Sequence, residues 1–169
     1  MKKIETERKY IISKPDMSIV ARQEHFTESD ITQIYLVDTE QTHRIRKRVY
    51  GDGTVEYTEN FKRRISSMSF VESEENISRE LYEELRLKCD PKTIPLEKKR
   101  VTFFYLGKTI EIDIYPNWES TCILEVELDR ECEDVSFPSF IRVMRDVTGM
   151  REYSNHSMAH RFPNEPTEI

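Results

Sequence analysis

Ile4-Glu5-Thr6-Glu7-Arg8-Lys9-Tyr10 reads as an extended strand in which charged residues recur at every second position. In such a strand Glu5, Glu7 and Lys9 project from the same face. Two carboxylates and one ammonium group make a poor surface for a hydrophobic core, but they suit a divalent metal ion and a polyanion. The first strand therefore predicts a charged binding surface.

The same spacing recurs along the chain, so the fold is predicted to be rich in strands that have one charged face. Strands are predicted at residues 4–12, 33–37, 43–50, 54–63, 77–83, 98–106, 109–115 and 121–129. Helices are predicted at residues 15–24 and 138–147, with shorter ones after Tyr82 and from Ser154. Residues 66–76 are rich in serine and glutamate and predict a mobile loop.

The composition limits the class of protein. The 169 residues fit one domain, residues 1–169, and 34% of them are charged. A net charge of -6 argues against general binding of nucleic acid or of an acidic membrane. The sequence has no run of eighteen apolar residues and no hydrophobic signal segment, so we expect a cytoplasmic protein without a membrane span. Cys89, Cys122 and Cys132 show no metal-ligand spacing and are expected to be reduced.

Two architectures fit the alternating strands. In one, an antiparallel sheet has an apolar core face and a solvated charged face, on which acidic and basic strands pair. In the other, the strands close into a barrel with the charged faces inside, which requires a charged ligand, metal ions and water to satisfy them. Acids and bases lie on different strands, which favours the barrel, because a metal-bound polyphosphate needs arginine forks for its oxygens and carboxylates for Mg²⁺ or Mn²⁺.

Eight short motifs follow one another along the chain. They are Glu5-Thr-Glu7-Arg-Lys9, Gln33-Ile-Tyr35-Leu36, Arg44-Ile-Arg46, Tyr57-Thr-Glu-Asn60-Phe-Lys62, Ser78-Arg79 with Glu83, Lys98-Lys-Arg100, Glu111-Ile-Asp113 and Glu125-Val-Glu127. Val147-Thr148-Gly149 and Tyr153-Ser154-Asn155 complete the pattern near the C-terminus. In this order the set resembles the CYTH superfamily, the triphosphate tunnel metalloenzymes, over almost the whole chain. The first motif alone is weak in a chain rich in glutamate and lysine, whereas the ordered set is specific.

Three positions depart from the pattern of that family. Asn60 stands where the family usually has threonine, and Leu81 stands where the middle glutamate of an Arg-x-Glu-x-Glu segment is expected, so that only Glu83 carries over there. Met150 occupies a position that is often acidic. Each departure could shift substrate choice or lower activity, but none removes the metal carboxylates or the main phosphate clamps.

The resemblance implies an α+β fold: an eight-stranded antiparallel β-barrel that forms a triphosphate tunnel, with helices packed outside. It also implies a site for Mg²⁺ or Mn²⁺ whose ligands would be Glu5, Glu7, Glu111, Asp113, Glu125 and Glu127. The implied phosphate contacts are Lys9, Arg44, Arg46, Lys62, Arg79, Lys98 and Arg100. Lys9 is in addition a candidate catalytic residue that activates water, and both of its roles stay open.

The implied reaction is metal-dependent hydrolysis of a triphosphate. Among the candidate substrates, inorganic tripolyphosphate is the first choice. The reason is that the strand Gln33-x-Tyr35-Leu36 looks more like that of bacterial tripolyphosphatases than that of the cyclases. The alternatives are a class IV adenylate cyclase, which converts ATP to cyclic AMP, a thiamine-triphosphatase, and a non-catalytic polyphosphate-binding module. The expected partner is inorganic triphosphate or a nucleoside triphosphate, without nucleic acid or membrane, and a homodimer is possible.

Overall fold

The structure is a computed structural model that describes residues 2–167. Within that range the strands are β1 Lys2–Ser13, β2 Glu24–Leu36, β3 Thr42–Tyr50, β4 Val55–Arg64, β5 Ser69–Asn76, β6 Leu96–Tyr105, β7 Lys108–Ile114, β8 Thr121–Leu128 and β9 Val143–Asp146. The α-helices are α1 Met17–Val20, α2 Arg79–Arg86 and α3 Asn155–His160, and a 3-10 helix spans Arg151–Tyr153. No helix of this range is long and apolar enough to cross a membrane.

The strands close into an eight-stranded antiparallel barrel because β1 pairs on both of its edges. One edge pairs with β8, where Glu7 lies opposite Glu127, and the other edge pairs with β5, where Glu5 lies opposite Phe70. The remaining strands complete the ring in the order β5, β4, β3, β2, β6, β7, β8. The short strand β9 pairs with the second half of β1 as an additional ninth strand. The barrel predicted from the sequence is therefore confirmed.

The largest part of the hydrophobic core lies outside the barrel wall. Outward-facing residues such as Phe103, Ile112 and Leu124 are fully buried, and they pack under Val20 of α1 and Ile141. On another side of the barrel, α2 covers the wall through Tyr82, which belongs to a second apolar cluster. The helices thus cover the apolar strand faces and leave the interior to the charged ones, as the alternation of the sequence predicts.

An apolar floor closes one end of the barrel. We use the term floor for residues 147–157 and the apolar residues packed beneath them, among which Ile11 and Ile123 point inward from β1 and β8. Tyr153 of the 3-10 helix and Met158 of α3 belong to the same buried cluster. Carbonyl and amide groups of the floor also bond to β1, since the amide of Val147 donates to the carbonyl oxygen of Lys9 over 2.9 Å.

Several predicted elements are wrong in type or extent. Residues 69–76, predicted as part of a mobile loop, form β5, and the predicted strand 77–83 is largely replaced by α2, whose N-cap Ser78 accepts from the amide of Leu81. The predicted helix 15–24 shrinks to α1, because the chain turns into the long strand β2 at Glu24. The predicted helix 138–147 is instead β9, since β1 offers residues 143–146 a free edge beyond β5.

Two further expectations are confirmed. A helix does begin after Ser154, whose hydroxyl accepts from the amide of Ser157. The three cysteines, Cys89, Cys122 and Cys132, are free thiols.

The C-terminal segment is fastened to the β7–β8 turn by one carboxylate. Glu165 accepts from the backbone amides of Ser120 at 2.6 Å and Thr121 at 2.9 Å through Oε1, and from the amide of Glu119 at 3.1 Å through Oε2. The indole of Trp118 donates to the carbonyl oxygen of Pro163 over 3.2 Å. The backbone amides of Glu119 and Ser120 lower the pKa of Glu165 to about 2.

We predict that Glu165→Gln lowers the melting temperature at neutral pH and that the difference from wild type disappears in acid. The pKa is depressed in the folded state, so the unfolded chain binds more protons, and the stabilisation is present above the usual value of 4.5 and lost towards about 2. Differential scanning calorimetry between pH 7 and pH 2 measures this. The control is Glu97→Gln on the outer face of β6. Equal effects of the two substitutions at pH 7 would contradict the prediction.

Candidate functional site

A cavity of about 540 Å³ occupies the interior of the barrel. Its lining is dominated by charged side chains that point inward from the strands. The acidic ones are Glu5, Glu7, Glu72, Glu74, Glu111, Glu125 and Glu127, and the basic ones are Lys3, Lys9, Arg44, Arg46, Arg48, Lys62, Arg64, Arg100 and Arg151. The convergence of charged residues of equal strand parity on one cavity, which the sequence predicts, is therefore confirmed.

Two strands that lie opposite each other in the barrel each carry cavity-lining charges of one sign, whereas β1, with Glu5, Glu7 and Lys9, carries both. Strand β3 contributes three arginines in succession, Arg44, Arg46 and Arg48. Strand β8, which is the fourth strand from β3 in either direction around the barrel, contributes Glu125 and Glu127. Strands that are four steps apart in a ring of eight lie across its diameter, so a ligand in the cavity lies between an arginine wall and a glutamate wall.

Close ion pairs hold several of these side chains in place. Lys62 Nζ lies 2.8 Å from Glu5 Oε2, and Lys9 Nζ lies 3.3 Å from Glu125 Oε1. Arg100 contacts Glu111 through Nη1. Burial opposes ionisation of Glu5, but the charge of Lys62 outweighs it and lowers the pKa of Glu5 to about 2.

Two other carboxyl groups are destabilised as anions. Burial and the neighbouring charge of Glu125 raise the pKa of Glu7 to about 7. Burial and the neighbouring charge of Glu111 raise the pKa of Glu127 to about 7. Glu7 and Glu127 face each other across the β1–β8 pairing, so negative charge accumulates at this part of the wall. Such a group of carboxylates is stabilised by a cation.

The donor chemistry of this wall fits a hard divalent cation. Mg²⁺ and Mn²⁺ prefer carboxylate oxygens, and Glu5, Glu7, Glu111, Glu125 and Glu127 all line the cavity. Within residues 2–167, however, no three histidine, cysteine, aspartate or glutamate side chains are arranged to enclose a metal ion. The carboxylates instead contact Lys62, Lys9 and Arg100, so a bound metal ion would have to compete with those contacts.

Asp113 and Lys98 are placed differently from the prediction. Both are buried beneath the cavity wall, with side chains only 2% and 0% exposed, and neither lines the cavity. Asp113 accepts from Lys98 Nζ at 2.7 Å and, through both oxygens, from Arg100 Nε at 2.7 Å and Nη2 at 2.8 Å. The prediction of Asp113 as a metal ligand and Lys98 as a phosphate contact is therefore wrong. Asp113 instead binds Arg100 on the side away from the cavity, and Lys98 binds Asp113.

The electrostatics of this buried group agree with its geometry. Burial by itself would raise the pKa of Asp113, but the charges of Arg100 and Lys98 outweigh it and hold that pKa well below its usual range. Burial, partly offset by Asp113, lowers the pKa of Lys98. A fully buried carboxylate with three charge-assisted hydrogen bonds is a structural support rather than a group available to a ligand.

Arg79 does not reach the cavity either. It is the first residue of α2 and is exposed on the outside of the barrel, and Glu83, one turn further along, pairs with Arg86. The predicted placement of Arg79 and Glu83 in the cavity is therefore wrong. The inward-facing acidic residues of this region are instead Glu72 and Glu74 of β5, which line the cavity. The signal was present in the sequence, because Phe70, Glu72 and Glu74 share period-two spacing.

The departures from the family pattern have different surroundings. Asn60 points inward and donates from Nδ2 to Glu74 Oε2 over 3.1 Å. Leu81 lies on the outside of the barrel, on α2, whereas Met150 lines the cavity at the floor.

Lys9 lies where the glutamate wall meets the floor. Its ammonium group donates to the carbonyl oxygen of Tyr153 over 3.2 Å and pairs with Glu125. Its backbone amide donates to the hydroxyl of Thr148 over 3.0 Å. The floor therefore positions Lys9 from both its main chain and its side chain.

An aromatic pair at the floor was missed by the sequence analysis. Tyr35 of β2 and His156 of α3 line the cavity with ring centroids 5.0 Å apart. Burial and the nearby His160 lower the pKa of His156, which favours its neutral form. The hydroxyl of Tyr115 donates to Asn155 Oδ1 over 2.6 Å and fixes the start of α3. Tyr35 and His156 are far apart in the chain, so no local sequence pattern predicts that their rings are in contact.

No protein-family model matches the chain, and no curated protein matches it in sequence. Solved structures do match. The inorganic triphosphatase NE1496 aligns over 95% of this chain and 97% of its own, with 23% identity and a TM-score of 0.58. The PH1012 protein from Pyrococcus horikoshii aligns over 75% and 79%, with 16% identity and a TM-score of 0.54. A provisionally named adenylate cyclase from Bacillus halodurans aligns over 99% and 95%, with 15% identity and a TM-score of 0.52.

These likenesses establish the fold. The chain shares the closed antiparallel barrel fold of these three proteins, which is the fold that its sequence motifs predict. At identities of 23% and below they leave the reaction to be argued from the residues of the cavity.

We predict that Asp113→Asn lowers the free energy of unfolding by about 3 kcal/mol, because it leaves the buried Lys98 without its carboxylate partner and removes the carboxylate that binds Arg100 through Nε and Nη2. Urea denaturation measures the change. The control is Asp30→Asn, which removes an exposed partner of Lys99 at 3.2 Å on the outer face of the neighbouring β2–β6 pair. The control should change the free energy by less than about 1 kcal/mol. A similar small effect for Asp113→Asn would refute a supporting role.

Proposed function

We propose that this protein hydrolyses triphosphates in a reaction that depends on Mg²⁺ or Mn²⁺, and that inorganic tripolyphosphate is its substrate. The observation that carries the proposal is the pair of opposite walls, Arg44, Arg46 and Arg48 on β3 against Glu125 and Glu127 on β8. A chain of phosphates bound between them would have basic groups on one side and metal-binding carboxylates on the other.

The arginine wall has the properties of a phosphate clamp. In the described chain the buried Nε atoms of Arg44 and Arg46 have no hydrogen-bond partner, and an unsatisfied buried donor is costly. Arg46 is oriented by one bond from Nη2 to Gln33 Oε1 at 3.0 Å, and its Nη1 lies 4.0 Å from Glu74 Oε2, which leaves Nε without an acceptor. Phosphate oxygens accept from such forks in pairs, which would satisfy these donors.

The glutamate wall would hold the metal ion through Glu5, Glu7, Glu111, Glu125 and Glu127. A divalent ion supplies neutralisation of phosphate charge and orientation of the attacking water. Bulk water would be kept away from these side chains, because the barrel encloses them and the floor closes one end of the cavity. Asp113 takes part only indirectly, since it holds Arg100 at the edge of this wall.

Lys9 is the residue placed to act on the nucleophile. It adjoins Glu125 of the proposed metal site and is held by the floor. As a base it would accept a proton from water; as a clamp it would contact a phosphate oxygen instead. The two roles differ in the protonation state that they require, which makes them separable by experiment.

A class IV adenylate cyclase is the second candidate, and the aromatic pair of Tyr35 and His156 is the observation that favours it. The exposed ring of His156, which packs against the buried Tyr35 at the end of the cavity, offers a surface on which a nucleotide base can stack. The same pair would serve the organic cation of thiamine triphosphate. Phosphate release from tripolyphosphate, ATP and thiamine triphosphate, with and without Mg²⁺ or Mn²⁺ and with a test for cyclic AMP, distinguishes these reactions.

We predict that Glu127→Gln abolishes metal-dependent turnover while the barrel stays folded, because amide replaces carboxylate with little change of shape. Arg46→Ala should raise KM for tripolyphosphate by about 10-fold to 100-fold with a smaller effect on kcat, since it removes charge-assisted hydrogen bonds. Steady-state kinetics and circular dichroism measure both effects. Chelation of the metal with EDTA should reproduce the loss seen in Glu127→Gln.

Substitutions of outward-facing residues provide matched controls for Glu127→Gln and Arg46→Ala. Glu97→Gln and Arg63→Ala, on the outer faces of β6 and β4, should leave the kinetic constants unchanged. If the wild-type protein binds tripolyphosphate without metal and turns over none of the three triphosphates, it is a binding module rather than an enzyme.

We predict that Lys9→Met lowers kcat by on the order of 100-fold or more and flattens the pH profile, if Lys9 is the base. A lysine accepts a proton only when neutral, so the wild-type rate should rise with pH into the alkaline range. Lys9→Arg should not restore activity, because arginine stays charged. Near-normal turnover and an unchanged pH profile for Lys9→Arg would make Lys9 a phosphate clamp.

A further inference from the structure

Two arginines meet at the floor of the cavity from different parts of the chain. Arg64 is the last residue of β4, and Arg151 is the first residue of the 3-10 helix. Both line the cavity, and Ser67 and Gly149 line it between their segments. The contact there is close, because a Cβ atom added at Gly149 would lie 3.1 Å from the Cβ atom of Ser67. Neither arginine belongs to a motif that the sequence analysis used.

These two cations, like Arg44 and Arg48 of β3 but unlike three other cations of the cavity, have no acidic partner within 4 Å among the described residues. Lys9, Lys62 and Arg100 each lie within 4 Å of a carboxylate. Among residues 2–167, no carboxylate comes within 4 Å of Arg64 or Arg151. Their positive charge is therefore not compensated by an ion pair.

Neutral groups hold Arg64 in position. Its Nη1 donates to the carbonyl oxygens of Ser67 at 3.1 Å and Ser66 at 3.4 Å. Its guanidinium lies 4.9 Å from the ring centroid of Phe70, a ring that Lys62 Nζ also approaches, at 4.3 Å. These contacts fix the direction of the side chain without cancelling its charge.

The two guanidinium groups line the same part of the cavity, because the segments that carry them are in contact at Gly149 and Ser67. Burial and the charge of Arg151 lower the pKa of Arg64, and Glu7 offsets this only in part. Like charges that line one cavity are relieved by an anion between them, and paired guanidinium forks match the tetrahedral oxygens of a phosphate group.

We propose that Arg64 and Arg151 form a second anion subsite, at the floor, which binds one phosphate group separately from the β3 arginine wall. The subsite adjoins Lys9, because Tyr153, which accepts from Lys9 Nζ, lies in the same 3-10 helix as Arg151. Its ligand is either released orthophosphate or the fourth phosphate of a longer chain. The choice between these sources rests on the proposed function, whereas the anion subsite itself does not.

The first test uses metal-free protein saturated with tripolyphosphate, so that the arginine wall is occupied and no turnover occurs. Orthophosphate is then titrated and its binding followed by phosphorus NMR. We expect a second binding event in wild type that weakens by about 10-fold or more in Arg151→Ala. Arg145→Ala, an exposed arginine of β9 outside the cavity, should behave as wild type. Absence of the event in wild type, or its persistence unchanged in Arg151→Ala, overturns the proposal.

The second test identifies the source of the phosphate. Protein saturated with tetrapolyphosphate should no longer bind orthophosphate if the fourth phosphate occupies the subsite, and should still bind it if the subsite serves released orthophosphate. If tripolyphosphate binds neither to the metal-free protein nor in the presence of Mg²⁺ or Mn²⁺, the proposed function fails. Orthophosphate binding to the free protein, compared between wild type and Arg151→Ala, then still decides whether the subsite exists.

Discussion

Pairing of β1 with both β5 and β8 is the constraint on which the rest of the structure depends. Without the contacts of residues 2–6 with β5, the strands would form an open sheet whose charged face is solvated. Closure removes that face from bulk water and brings the arginines of β3 opposite the glutamates of β8. A surface that is ordinary on an open sheet becomes, once enclosed, a cavity whose charges need partners.

The protein meets that need in two ways. Where charges are deeply buried, as at Asp113, Lys98 and Arg100, the partners are supplied within the chain by short hydrogen bonds. Where charges line the cavity, compensation is incomplete: Glu7 and Glu127 have raised pKa values, and buried donors of Arg44 and Arg46 lack acceptors. Incomplete compensation on both walls is the physical basis for proposing a ligand that combines phosphate with a divalent cation.

The floor makes one end of the cavity different from the other. One end is closed by residues 147–157 over an apolar cluster, and these residues contribute Arg151 and His156 to the lining while they position Lys9. Lys9, the aromatic pair of Tyr35 and His156, and the arginines Arg64 and Arg151 therefore all lie at the same end. Under the proposed function, the length and the terminal group of a substrate would be recognised at this end, and its other phosphates would lie between the opposite walls.

The sequence by itself determined which side chains share a strand face, because alternation is a local property that two-residue spacing reveals. It therefore predicted the barrel and placed Glu7, Arg46, Lys62 and Glu127 together. Only the tertiary structure decided how deep each residue lies, since depth depends on strand register and on long-range pairing. For that reason Asp113 lies behind the wall, Glu72 replaces Glu83 in the cavity, and Arg64 meets Arg151 at the floor.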